Sequence, residues 1–155
     1  MDKNSFIERA IELASKNVNE GGGPFGAVIV KDGKIIAEGV NRVTEKNDPT
    51  AHAEVQAIRN ACEKLKTFDL SNCEIYSSCE PCPMCFSAIY WAHIGKVYYA
   101  ATHNDASDAG FSDSFIYQQV RLKPMERAIP FVKIEHPDLQ LPFSMWNGKE
   151  DKEPY

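Results

Sequence analysis

The spacing of apolar and polar residues divides the chain into short elements of two periods. Phe6, Ile7, Ala10, Ile11, Leu13, Ala14 and Val18 recur at helical spacing, with Asn4 placed to cap the helix. The run Gly21-Gly22-Gly23 before Pro24 predicts where that helix stops. Two β-like runs follow, GAVIV from Gly26 and IIAEGV from Ile35, and Asp32-Gly33 between them predicts a tight hairpin. After a break at Asn47-Asp48-Pro49-Thr50, helical spacing returns through Val55, Ile58, Ala61, Cys62 and Leu65. CEIYSS reads as a strand, CPMCFSAIYWAH as a helix with Pro83 in its first turn, and KVYYAAT as another strand. The polar stretch THNDASDAGFSD reads as a loop. Near the end, RAIPFVKIE reads as a late strand, DLQLPFSMW as a short helix and KEDKEPY as a charged, disordered tail.

Strands alternating with helices over 155 residues, without a repeat or a long linker, predict one α/β domain over 1–155. Helices should cover both faces of its sheet. Charged residues at 25% and hydrophobic ones at 43% fit an ordinary globular chain. A net charge of −5 and a pI near 5.4 give no basic footprint, which argues against a nucleic-acid partner. Charges interrupt the first fourteen residues and no apolar run of about 18 follows, so neither a secretory leader nor a membrane span is expected. A cytoplasmic address follows by default, and thiols stay reduced there. The five cysteines, an odd number, are therefore not expected to form disulfides.

Three cysteines stand in one ladder, Cys79, Cys82 and Cys85. The Cys82-Pro-Met-Cys85 spacing lets two sulfurs reach one metal within a turn, although alone it reads equally as a redox pair or two buried thiols. His52-Ala-Glu54 alone reads as a structural histidine and a glutamate favoured by the helix dipole. Together they say more, because each pair opens a predicted helix just after a strand or turn. Two helix N-termini aimed at one point would lower thiol pKa and stabilise negative charge developing there. Residues two apart diverge on a helix, but at the first turn the target lies beyond the helix end, so His52 and Glu54 both reach it. Glu80 precedes Pro81 and is biased towards extended backbone, which places Cys79 roughly 10 Å from Cys82. Zinc holds its ligand atoms at about 2.0–2.3 Å. The expected ligands are therefore His52, Cys82 and Cys85, with water in the fourth position and Cys79 packed at the strand end.

With these residues in place, His52-Ala-Glu54 followed by Pro81-Cys82-Pro-Met-Cys85 resembles the signature of the zinc-dependent nucleoside and nucleobase deaminases. The segments from GGGPFGAVIV to KVYYAA fit as well. Within that family the similarity runs nearly end to end with the small bacterial guanine deaminases, through NDPTAHAE, SCEPCPMC, AIYWA, DAGFSDSFIY and a chain ending on tyrosine. The resemblance implies a three-layer α/β/α cytidine deaminase-like fold with a central mixed sheet and one Zn²⁺ per subunit. It also implies hydrolysis of guanine to xanthine and ammonia in purine salvage or catabolism. Glu54 would carry protons, and backbone N–H groups near Ala53 and Cys82 would hold the developing charge. The resemblance further implies a homodimer that exchanges a C-terminal segment, about 111–155, with Tyr155 closing a site.

Recognition residues follow at one remove. The Asn41 amide both donates and accepts and suits a purine edge, although EGVNRV also reads as a turn. Phe25 and Trp91 are candidates to sandwich the base, with apolar core as their ordinary fate. Asp113 is a second candidate acid, or an N-cap for the segment after it. His93 stands where many relatives carry arginine and suits a helix C-terminus. His103 and His136 lie away from the motifs and are read as surface residues. Two other readings stand beside this one. A tRNA adenosine deaminase, or a deaminase of another base or nucleoside, shares the motif, but the former needs a basic surface. A non-catalytic zinc-stabilised binding module would have no use for Glu54 beside the metal.

Overall fold

The computed structural model describes residues 2–155. Four strands form one sheet in the order β2-β1-β3-β4: β1 Gly26–Lys31, β2 Lys34–Val40, β3 Glu74–Cys79 and β4 Lys96–Ala101. β1 pairs antiparallel with both β2 and β3, while β3 and β4 run parallel, so the sheet is mixed. Asp32 and Gly33 both adopt positive φ (50° and 70°), the backbone that a two-residue hairpin of primed type requires. A register shift between Ile29 and Val30 marks a bulge in this hairpin.

Alternation along the strands decides the layers. Val28, Val30 and Tyr76 face helix α1 (Lys3–Asn19), where Phe6 packs against the Tyr76 ring at 5.0 Å. Ala27, Ile29 and Ile75 face the other way, onto α3 (Ala53–Leu65) and α4 (Pro83–Trp91). The result is the expected α/β/α sandwich. The face that α3 buries is the alanine row Ala53, Ala57 and Ala61, with Ile58, Cys62 and Leu65 at its margin. Small side chains let the helix lie close to the sheet, and Gly39 completes the approach. A Cβ there would fall well inside van der Waals contact with Ala53 O and Ala57 N. Close approach of backbone to backbone is what calls for glycine at this position.

Several expectations about the elements need correction. The cap of α1 is Asp2, whose carboxylate accepts from Ser5 N–H at 2.9 Å, rather than Asn4, which lies within the helix. The stretch read as a polar loop contains α5 (His103–Asp108), closed by a Thr102–Asp105 capping box, and leads into α6 (Asp113–Arg121). A short α2, Val43–Lys46, was not visible in the apolar pattern. RAIPFVKIE forms no strand within the single chain and pairs with neither β2 nor β4, the two edges of the sheet; Ile129, Val132 and Ile134 are exposed. The short helix near the end is α7, Leu141–Gly148. The tail after it is ordered by contacts: Lys152 donates to Asn147 O, and the Tyr155 ring lies against Trp91 and Phe68.

Candidate metal centre and active site

His52 is the N-cap of α3 and Cys82 the N-cap of α4. Both have extended backbone (ψ 157° and 168°) and make no side-chain cap hydrogen bond, so their ring and thiol are free to point past the helix ends. Pro83 occupies the first turn of α4, where its missing N–H costs nothing. Cys85 follows on that turn and is fully buried.

The three donors converge. His52 Nδ1 stands 3.5 Å from Cys82 Sγ and 3.5 Å from Cys85 Sγ, and all three ligand atoms lie within 4.8 Å of one another. Tetrahedral zinc with its usual bond lengths separates a nitrogen from a sulfur ligand by about 3.6 Å. The donor set therefore fits zinc in both chemistry and spacing, with a fourth position left open. The Cys85 and His52 side chains hydrogen-bond to Cys82 and draw its thiol well below the ordinary range. Cys79 is not part of the cluster. Its thiol donates to Thr102 O at 3.5 Å, and burial pushes it up to about 12, so it stays a neutral thiol at the end of β3.

Glu54, in the first turn of α3, is almost fully buried; burial raises its pKa above the usual carboxylate value. Ser77, on the α3 face of β3, donates to Glu54 Oε1 at 2.7 Å and leaves Oε2 for other partners. Ala53 is wholly buried beside it. The cluster opens into a cavity of about 370 Å³, a size ordinary for a small-molecule site. His52, Glu54, Cys82, Phe25, Asn41 and Asp113 all line it. Burial and the Cys82 thiolate raise the Asp113 carboxyl above its normal value. Asp113 is the first residue of α6, and the cap position belongs to Ser112.

Asn41 serves as a turn residue and a cavity wall together. Its Oδ1 accepts from Val43 N–H at 3.2 Å while the residue stays buried at the cavity. Phe25 meets the cavity with Phe111 edge-on at 4.8 Å. Two expected substrate contacts do not reach this cavity within the single chain. Trp91, at the end of α4, is 64% exposed and lies 6.0 Å from the Tyr155 ring, so the two aromatics meet each other on a different surface. They are corrected to that position because α4 carries its C-terminal end away from the metal cluster at its start.

Four residues escaped sequence reasoning. Ser77 gave no signal beyond period-2 alternation from Ile75, which places it on the α3 face. Phe111 lies inside AGFSDSF without a periodic partner. Asn17, buried on α1, donates to Gly23 O and Asn41 O at 2.8 and 2.9 Å and pins the glycine loop to the cavity wall. Its only signal was a polar residue on an apolar stripe. His103 is corrected from surface to half-buried: its backbone N–H and Nδ1 meet Glu80 Oε2 at 3.0 and 2.5 Å, and its ring packs on Tyr117. His136 is exposed, as expected, and accepts from Asp138 N–H. His93 takes a positive φ of 59° just past α4.

Comparison with known proteins places this geometry. Residues 1–101 match the family described as the cytidine and deoxycytidylate deaminase zinc-binding region. The guanine deaminase of Bacillus subtilis is 54% identical over 156 residues, covering 100% of each chain. The tRNA-specific adenosine deaminase of Aquifex aeolicus is 45% identical over 101 residues, which is 65% of this chain and 67% of that one. The X-ray structure of the Bacillus subtilis guanine deaminase superposes with a TM-score of 0.97, covering 100% of this chain and 99% of that one at 54% identity. A structure of guanine deaminase from Nitrosomonas europaea covers 71% of this chain and 64% of that one, with a TM-score of 0.69 at 36% identity.

Proposed function

The chain belongs to the cytidine and deoxycytidylate deaminase zinc-binding family, and on that premise we propose that it hydrolyses guanine to xanthine and ammonia. The observation carrying this reading is the full-length agreement with a guanine deaminase, which extends through the last third of the chain where the family match has ended. His52, Cys82 and Cys85 would hold zinc, which when bound would supply Lewis acidity for water activation near neutral pH.

The remaining work falls to the chain's own side chains. Glu54 takes the proton from the attacking water, passes it to a ring nitrogen, and then assists protonation of the departing amine. Its burial raises its pKa, which brings it nearer the operating pH of a proton carrier. Ser77 fixes the carboxylate, so that Oε2 rather than Oε1 meets the reacting atoms. Backbone N–H groups near Ala53 and Cys82, at the two helix starts, favour charge developing on oxygen. Phe25 offers a ring face to the base, Asn41 an amide edge, and Asp113 a second carboxyl that orders the purine or relays a proton.

Tyr155 acts on a neighbouring copy in this reading. The protein is a homodimer that exchanges a C-terminal segment of about 111–155, and Tyr155 closes the partner's cavity against water. Support comes from the apolar residues left exposed along that segment, including Phe131, Val132 and Phe143, and from the unpaired edge of β4. No helix among the described residues is long and apolar enough to cross a membrane. The protein works in the cytoplasm, in purine salvage or catabolism. An ammonia-release screen over free bases and nucleosides, with and without a zinc chelator, tests the proposal. Guanine is expected as the preferred substrate, with chelator-sensitive turnover; another base or nucleoside as the clear best substrate would overturn it.

A further inference from the structure

Glu80 has no part in the chemistry described so far, yet it lines the same cavity as His52, Glu54, Cys82 and Asp113. Its surroundings fix its orientation. Oε2 receives both hydrogen bonds from His103, from the backbone N–H at 3.0 Å and from Nδ1 at 2.5 Å. Among the described residues, Oε1 receives none. His103 is itself held by ring contact with Tyr117 at 4.9 Å, and the Tyr117 hydroxyl donates to Pro81 O. Ser107 and Ser114 join α5 to α6 through their hydroxyls at 3.0 Å. The Glu80 carboxylate is thus clamped from one side, with its second oxygen left for whatever enters the cavity.

We infer that Glu80 is a specificity-determining contact, whose Oε1 accepts a ring N–H of the purine, and that His103 is its positioning residue. The inference rests on the proposed guanine reading. A purine base carries ring N–H donors, and a clamped carboxylate oxygen accepts without the entropy cost of ordering a free side chain. His103 supplies donors only to Oε2, so the polarity of the clamp is set by the protein. That polarity has a consequence for substitution. In Glu80→Gln the backbone N–H of His103 still demands an acceptor, so the amide oxygen stays with His103 and the NH₂ turns to the cavity. A donor then opposes the substrate's donor. Glu80→Ala merely leaves space for water. The isosteric change should therefore harm guanine binding more than the truncation does, the reverse of what a purely structural role would give.

The experiment measures kcat, KM and zinc content on guanine for wild type, Glu80→Gln, Glu80→Ala and His103→Ala. Glu80→Ser replaces the alanine variant should that fail to fold. We expect one zinc per chain throughout. KM should rise roughly ten- to a hundredfold in Glu80→Gln, with smaller rises in Glu80→Ala and His103→Ala and little change in kcat. The inference is overturned if Glu80→Gln is no worse than Glu80→Ala, if KM does not move, or if activity falls in step with zinc. Wild-type turnover of guanine separates the two levels. Should wild type prefer another base, the guanine reading fails, and the same variants measured on that base decide the role of Glu80.

Discussion

Up to Ala101 the chain holds every buried apolar residue but one among those described, and beyond Thr102 its large apolar residues stand largely exposed. The first region holds the whole sheet, both core clusters and all three residues of the candidate metal site. In the second, Ala106 is the one buried residue among those described, while Ile129, Ile134, Phe143 and Met145 stand open to solvent. The family match ends at the same boundary, at residue 101. A tRNA-specific adenosine deaminase aligns over 65% of the chain, whereas a guanine deaminase aligns throughout. The candidate metal site thus lies wholly within the first region. The second region leaves apolar surface uncovered, which the proposed dimer would bury. The cavity joins the two, since Phe111 and Asp113 are the second region's contribution to its wall.

The largest effect should come from breaking the core's donor set. Cys82→Ser is expected to lose both zinc and all measurable turnover, read by metal analysis and ammonia release; retained zinc would mean that the three converging donors are not the site. Next is Glu54→Gln, which separates holding the metal from using it. Zinc should stay at one per chain while kcat falls by about 10²- to 10⁴-fold. A smaller effect sharpens the boundary between regions. Deleting Pro154 and Tyr155 should lower kcat/KM by about tenfold, the scale of one lost contact, while leaving zinc content and Tm unchanged. Loss of zinc on that deletion would erase the division drawn here.

The smallest effect concerns stability. Burial raises the folded-state pKa of Glu54 above its ordinary 4.5. The stability this group contributes is therefore fully present below pH 4.5 and is lost as pH rises through the raised value. In zinc-free protein at neutral pH, Glu54→Gln should accordingly raise Tm, by roughly 2–4 °C for each kcal/mol released. The gain should shrink towards zero as pH falls to 4.5, and a gain independent of pH would assign it to another cause.

The first region was legible in the sequence because each of its signals is local. Asp32-Gly33 fixes a turn, Pro83 opens a helix, and the pairs His52/Glu54 and Cys82/Cys85 each sit on one turn. The restraint of Pro81 on Glu80 sufficed to remove Cys79 from the ligand set, and its thiol is indeed spent on Thr102 O. What was not legible is what depends on distant partners. Asn17 reaches twenty-four residues along the chain to Asn41 O, and Glu80 meets His103 across the β3–β4 step. RAIPFVKIE carries a strand's composition but pairs with neither sheet edge of its own chain. Trp91 and Tyr155 have the right chemistry for a base-binding wall, and their placement depends on where two helix ends and a tail finish, which periodicity does not encode.

Gly39 bears on how such a protein would fail. It ligates nothing, lines no part of the cavity and belongs to neither half of the deaminase signature. Yet its missing methyl sets the distance from β2 to the first turn of α3, and so the reach of His52 and Glu54 towards two cysteines carried on α4. A chain with alanine at this position would keep its full signature and would be counted as active by any reader of motifs. The helix would stand off the sheet, with His52 and Glu54 out of step with Cys82 and Cys85. Silent descendants of such an enzyme can thus arise with every chemical residue in place, through a change of spacing alone.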